Sequence, residues 1–293
     1  MPKMIVVGGP TASGKTGLAI ELARHFNTAI ISADSRQFYR EMAIGNARPS
    51  QEELRQAPHY FIADRSLLTS LTAGKFADEA LELAQKLYQQ YDELICVGGS
   101  GLYIQALCEG LDEFPSVTKA AKEEVLFIWT SAGLSGLQEA LAKLDPVYFE
   151  QVDQQNPRRL ERALEVCLTA GQPYSSFLGN APKRPFDTIY LRTNPDRAAL
   201  YDRINQRVDQ MFKEGLEEEV RSLYPYRDLP VLQTVGYQEF WPYFAGDYGL
   251  ERVQELIKRN SRRYAKRQYT WFNRGDKYLP VNSLAEALTQ LKR

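Results

Sequence analysis

The chain has little of what metal centres and cross-linked scaffolds are built from. Its 293 residues include three cysteines, Cys96, Cys108 and Cys167, and two histidines, His25 and His59. Residues so few and so scattered exclude a disulfide framework and a zinc site of ordinary ligand spacing, and the cysteines read as core thiols in a reducing compartment. No apolar run approaches the length of about 18 residues that a membrane-spanning helix needs. The chain also enters its first apolar strand with no charged segment and long apolar stretch before it, so a cytoplasmic protein with no membrane contact is expected. An excess of either charge is missing too. The formal net charge is −1, with 25% charged and 44% hydrophobic residues, ordinary values for a globular protein of one or two domains.

What the chain does have begins at once. The run Met4-Ile5-Val6-Val7 breaks into Gly9-Pro10-Thr11-Ala12-Ser13-Gly14-Lys15-Thr16, a G-x-x-x-x-G-K-[ST] loop between an apolar strand and a helix carrying Leu18, Ala19, Leu22, Ala23 and Phe26 at helical spacing. Gly9 and Gly14 allow the backbone to curl around phosphate oxygens. The helix N-terminus favours anions, Lys15 supplies a point charge, and the Thr16 hydroxyl is a ligand for Mg²⁺. The loop calls for a phosphate-bearing ligand, by frequency a nucleotide such as ATP, without saying which.

A second apolar run, Thr28 to Ala33, ends in Asp34-Ser35-Arg36-Gln37. Strand, helix, strand predicts a parallel sheet, whose ligands sit beyond the carboxyl ends of the strands. Asp34 then either joins the P-loop edge or caps a following helix. Residues 45–75 read as a long loop with short helices, Phe76 to Tyr91 as a helix, and Leu94 to Val97 as a buried strand ending in Gly98-Gly99-Ser100-Gly101. P-loop ATPases and GTPases commonly end that strand in an Mg²⁺-binding Asp. Two glycines stand here instead, as a tight turn or as a second backbone surface facing the ligand with the Ser100 hydroxyl free.

From Leu111 to Phe186 the pattern is helical, with Val125, Phe127, Leu134, Leu137, Leu141 and Leu144 as apolar anchors. Asn156 and Pro157 open a helix that displays Arg158, Arg159 and Arg162. The sheet resumes at Thr188 to Leu191, and a long helix is expected from Pro195 to Leu223, with Leu200, Ile204, Val208 and Met211 inward and Arg203 and Arg207 one turn apart. Between Arg252 and Arg274 stand eight basic residues, Arg252, Lys258, Arg259, Arg262, Arg263, Lys266, Arg267 and Arg274, against the single acid Glu255. Tyr264, Tyr269, Trp271 and Phe272 are interleaved with them. The mixture suits RNA, whose phosphates need cations and whose unpaired bases stack on rings, and it also suits an amphipathic helix burying its aromatics.

These residues resemble the bacterial tRNA dimethylallyltransferases, also called isopentenyl-diphosphate:tRNA transferases. The likeness runs over nearly the whole chain, through the P-loop, Asp34 to Tyr39, Ile44 to Pro49, Gly98 to Tyr103, Arg159 to Val166, Val235-Gly236-Tyr237 and Lys266 to Phe272. It implies an α/β fold, a P-loop NTPase-like parallel sheet flanked by helices, with a helical insertion. Residues 1–112 and 188–293 would form the core and a C-terminal helical tRNA-binding segment, and 113–187 the insertion that grips the anticodon arm. The implied reaction moves a dimethylallyl group from dimethylallyl diphosphate to N6 of the adenosine 3′ of the anticodon, in tRNAs reading codons that begin with U.

The resemblance further implies that Gly9 to Thr16 and Arg207 hold the diphosphate, that Mg²⁺ sits on Thr16, and that Asp34, Ser100 and Arg207 are catalytic. Asp34, Ser35, Arg36, Gln37, Ser100, Arg158, Arg159, Arg162, Gln233, Gly236, Tyr237, Lys266, Arg267, Gln268 and Trp271 would contact tRNA. A monomer is expected. Ser100 stands where the family usually has Thr, Asn46-Ala47-Arg48-Pro49 where it has Thr-Ala-Lys-Pro, and Tyr60 where it has a second His. Three competing classes remain: a small-molecule kinase, an enzyme prenylating free adenine nucleotides, and a non-catalytic RNA-binding module. The first does not require the Gly98-Gly99 ending or the basic-aromatic segment, the second has little use for three arginine-rich surfaces, and the third has none for Lys15 and Thr16.

Overall fold

Alternate residues of the first apolar run point to opposite faces of one sheet, and both faces are covered. In the computed structural model, which describes residues 1–292, Met4 and Val6 pack into one buried cluster while Ile5 and Val7 pack into another. Strands buried on both sides read as unbroken apolar runs, which is why alternation is missing. The strands are β1 (Lys3–Gly8), β2 (Ile30–Ser32), β3 (His59–Tyr60), β4 (Glu93–Gly98), β5 (Asp187–Thr193) and β6 (Leu279–Val281). They form one sheet in the order β3-β2-β4-β1-β5-β6, every pair parallel. All carboxyl ends therefore leave at one edge.

The chain packs as two compact units, Met1–Cys108 with the chain from Arg184 onward, and Glu109–Lys183. In the first lie α1 (Lys15–His25), α2 (Gln51–Leu54), α3 (Ala73–Leu87) and nearly all of α4 (Gly101–Glu109). The second holds α5 (Lys119–Leu144), α6 (Pro146–Gln151) and α7 (Pro157–Ala170) around Val125, Leu137, Leu141, Leu160 and Leu164. Asn156 caps α7 through the Arg159 N–H, and Pro157 opens it. The chain then returns to the first unit with α8 (Arg197–Lys213), α9 (Leu216–Ser222), α10 (Phe240–Phe244), α11 (Leu250–Phe272) and α12 (Leu284–Leu291).

Several expectations are corrected. The long helix from Pro195 to Leu223 is two, α8 and α9, because Gly215 at φ +94 takes a left-handed turn that a helix cannot continue through. Residues 45–75 contain the edge strand β3, too short at two residues to show a period. Phe127 and Leu144 are exposed, so only Val125, Leu134, Leu137 and Leu141 of the six anchors serve the insertion core. Asp34 begins no helix: its Oδ1 accepts the Arg36 N–H at 3.2 Å, closing a turn. The three cysteines are buried free thiols. Among the described residues, no helix is long and apolar enough to cross a membrane.

Candidate active site

Because β1 and β2 are parallel, the P-loop and the Asp34 turn leave the sheet at the same edge. Gly14 at φ +88 hands the loop to α1, and Ala12 at φ +61 also takes the left-handed region, strain of the kind that collects at ligand sites. The loop is braced from behind. A side chain on Gly9 would collide with Thr193, whose hydroxyl bonds the Ser13 hydroxyl at 2.6 Å. The Ser13 side chain is thus committed to the fold, leaving its backbone for a ligand.

A cavity of about 620 Å³ is lined by Thr11 to Gly17, Asp34, Gln37, Ala43, Ile44, Asn46 to Gln51, Glu53, Arg207, Met211 and Glu214. Lys15 donates to the Pro10 carbonyl at 3.3 Å. Loss of water around its ammonium outweighs the attraction of Asp34 and lowers its pKa to about 8. Arg207 reaches from α8 to the Thr11 hydroxyl at 3.3 Å, and desolvation lowers its pKa as well. Asp34 lies near both cations and Glu53 near Arg207, and two cations brought to one cavity still favour an anion between them. Thr16 and Asp34 present oxygen donors to the same cavity. That donor set fits Mg²⁺, which takes one or two protein oxygens beside phosphate and keeps several waters.

A second cavity, about 360 Å³, opens on the other side of Asp34. Its wall includes Arg36, Gln233, Gly236, Tyr264, Arg267 and Gln268, with Ile204, Val208 and Ile257 as an apolar patch. Thr11, Asp34, Asn46, Ala47, Arg207 and Met211 line both cavities. Asp34 therefore stands where two chambers meet, one walled by the P-loop backbone and the other by the basic-aromatic helix.

The sequence profile of the IPP transferase family matches residues 37–275. The chain belongs to the IPP transferase family. A tRNA dimethylallyltransferase of Flavobacterium johnsoniae is 46% identical over 283 residues, 94% of this chain and 92% of the relative. One from Christiangramia forsetii is 47% identical over 272 residues, covering 92% and 90%. Among solved IPP transferase relatives, the tRNA isopentenylpyrophosphate transferase of Bacillus halodurans superposes over 100% of this chain and 95% of its own, with a TM-score of 0.73 and 32% identity. A eukaryotic dimethylallyltransferase acting on tRNA superposes with a TM-score of 0.80 at 27% identity, over 97% and 74%.

Within this IPP transferase framework several expected contacts lie elsewhere. Ser100 is held by the Asp34 turn: it accepts the Ser35 N–H at 3.0 Å and donates to the Ser35 hydroxyl at 3.1 Å. The glycines around it make room for protein. Side chains on Gly98, Gly99 and Gly101 would collide with the Ala33 backbone, Gln268 and Trp271 respectively. Gln268 is buried, its carbonyl accepting the Thr11 N–H at 2.8 Å and its amide donating to the Gly99 carbonyl at 2.9 Å. Trp271 packs on Gly101 and is half-buried, Tyr237 is 1% exposed, and Gln268, though it lines the second cavity, has its amide spent on the protein.

Lys266 and Arg267 are exposed, as are Arg158, Arg159 and Arg162 of the insertion, where Arg162 covers the Phe114 ring at 5.5 Å. The basic-aromatic helix divides its rings: Phe272 is core, as an amphipathic helix requires, while Tyr264 lines the second cavity and Tyr269 is exposed. Tyr264 was within reach of sequence reasoning as an aromatic among cations. Glu219, described below, was not, since three consecutive glutamates in a first helical turn read as a solvated end.

Proposed function

We propose that the chain transfers a dimethylallyl group from dimethylallyl diphosphate to N6 of the adenosine 3′ of the anticodon, in tRNAs reading codons that begin with U. It would act as a monomer in the cytoplasm, a setting in keeping with its free thiols. One observation carries the reading. Asp34 lines both cavities, so a single carboxylate faces the phosphate loop and the basic-aromatic wall together. A small-molecule kinase needs the first chamber and has no use for the second.

In the first chamber, the P-loop N–H groups, Lys15 and Arg207 hold the diphosphate, and Ala43, Ile44, Ala47, Pro49 and Met211 offer apolar surface to the prenyl chain. Mg²⁺ on Thr16, when bound, neutralises part of the charge on the leaving group. The adenosine leaves its stack to enter the second chamber, where Arg36, Gln233 and Arg267 hold it and Tyr264 offers a ring face, while Gln37 braces the turn from the first chamber. An exocyclic adenine amine is a poor nucleophile because its lone pair is delocalised into the ring. As the C–N bond forms, its proton passes to Asp34 while the C–O bond to diphosphate breaks and the electron pair leaves with the diphosphate. Donors aimed at that developing charge stabilise the transition state more than the ground state. Ser100 acts through Ser35, fixing the turn that carries the base. Arg158, Arg159 and Arg162 of the insertion and Lys266 of α11 contact the anticodon arm.

Incubation with radiolabelled dimethylallyl diphosphate and either total tRNA or AMP tests the reading, with label expected in tRNA at that adenosine. Label in AMP would instead favour prenylation of free nucleotides. Asp34→Ala should lower single-turnover transfer at saturating donor and tRNA by about 10²–10⁴-fold; near-normal transfer would remove the base assignment.

A further inference from the structure

The loop that walls the first cavity is held by a group outside every motif. Residues 43–49 form neither helix nor strand; the Ala47 and Arg48 N–H groups turn back on the Ile44 and Ala43 carbonyls at 3.0 and 3.4 Å, and the others need partners from elsewhere. Three in succession find the same one. The Ala43 and Ile44 N–H groups both donate to Oε2 of Glu219 at 2.8 Å, and the Gly45 N–H donates to Oε1 at 3.0 Å. The Tyr237 hydroxyl donates to Oε1 at 2.8 Å. Consecutive amides converging in this way form a nest that elsewhere takes an external anion; here the anion belongs to α9.

The packing behind the loop points the same way. A Cβ on Gly45 would lie 2.6 Å from the Tyr237 ring, and one on Gly236 3.2 Å from the Gly45 carbonyl oxygen. Burial and the adjacent Glu219 charge push the Tyr237 phenol well above its ordinary pKa, so it remains a donor. On its far side the loop is stitched to the turn carrying Asp34. The Asn46 amide donates to the Arg36 carbonyl at 2.9 Å, and the Gln37 amide donates to the Ala47 carbonyl at 3.2 Å. Glu219 itself is in the lining of neither cavity.

We propose that Glu219 is a positioning residue, which holds the 43–49 loop and through it the Asp34 turn in the geometry that receives prenyl diphosphate and acceptor amine. The inference rests on the prenyl-transfer reading for its kinetic consequence, and on the backbone alone for its structural one. Glu219→Gln keeps the shape but turns an NH₂ toward part of the donor set, whichever way the amide is placed. It should raise KM for dimethylallyl diphosphate at least about tenfold and lower kcat in steady-state transfer to tRNA. In hydrogen exchange, amides 43–45 and also 35–37 should exchange faster than in the wild type, while the sheet stays protected.

Tyr237→Phe removes one of the four bonds and should give the same pattern in weaker form, about twofold to fivefold in KM. This variant keeps the test open if Glu219→Gln fails to fold. Unchanged KM and kcat in both variants, with label transferred normally by the wild type, would overturn the proposal. A wild type that transfers no label counts against the prenyl-transfer reading alone. The exchange data then decide, and faster exchange confined to 43–45 would show that Glu219 does not position the Asp34 turn.

Discussion

Lys15 carries a cost in the free protein that its ligand removes. With a pKa of about 8 against an ordinary 10.5, the folded chain binds fewer protons than the unfolded chain across that window. This group's contribution to stability therefore rises with pH from about 8 to about 10.5. A diphosphate needs the charged ammonium, so binding takes up a proton above about pH 8. Donor affinity should fall as pH rises through that point, by up to about tenfold per pH unit. KM for dimethylallyl diphosphate measured from about pH 7 to about pH 9 checks this, with Lys15→Arg flattening the profile; a flat wild-type profile would remove the effect. The meeting of Lys15 and Asp34 at one cavity was within reach of the sequence, because the P-loop and the Asp34 turn each follow a strand of one parallel sheet. Glu219 was not, because its role lies in three amides 174 to 176 residues away, and no local pattern marks an anion whose partners are backbone.

Helix α11 does two things at once, and its residues divide between them by face. Phe272, Trp271 and Gln268 press onto the sheet edge, where Gly8, Gly101 and Gly99 leave space for them. The pattern of glycines alone does not distinguish a surface kept open for a ligand from one kept open for a neighbouring helix, which is why the strand ending stayed open between a turn and a ligand surface. The break between α8 and α9 was hidden for a similar reason: the apolar spacing continues across Gly215, and one left-handed residue leaves no trace in a period. Gln268 is the joint between helix and phosphate loop, bonded to the Thr11 N–H and the Gly99 carbonyl. Gln268→Met, of similar size, would leave both groups buried and unpaired at about 1–3 kcal/mol each. The expected result is a lower unfolding temperature together with a raised donor KM. A loss of stability with unaltered KM would mean that the loop keeps its shape without this bond.

At the scale of the whole molecule a net charge of −1 gives no general attraction for RNA, so affinity has to come from local concentration of charge. Of the eight basic residues between Arg252 and Arg274, Arg252 pairs with Glu255, Lys258 with Asp209, Arg262 bonds Asn205 and Arg259 the adjacent Asn260, while Arg267 and Arg274 lie over the Tyr264 and Trp271 rings. Arg259, Arg263, Lys266 and Arg267 are exposed at spacings that place them along one face of α11. Free cations along a stripe can each displace a counterion from phosphate, whereas a cation already held by a carboxylate gains little by moving. Replacing Arg263 and Lys266 together by Ala should therefore lower the slope of log affinity for tRNA against log salt by about two, and weaken binding to all tRNAs alike. Lys258→Ala should leave that slope nearly unchanged. Filter binding of total tRNA across a salt series separates the two, and equal slopes in both variants would mean that this face of α11 does not meet the RNA.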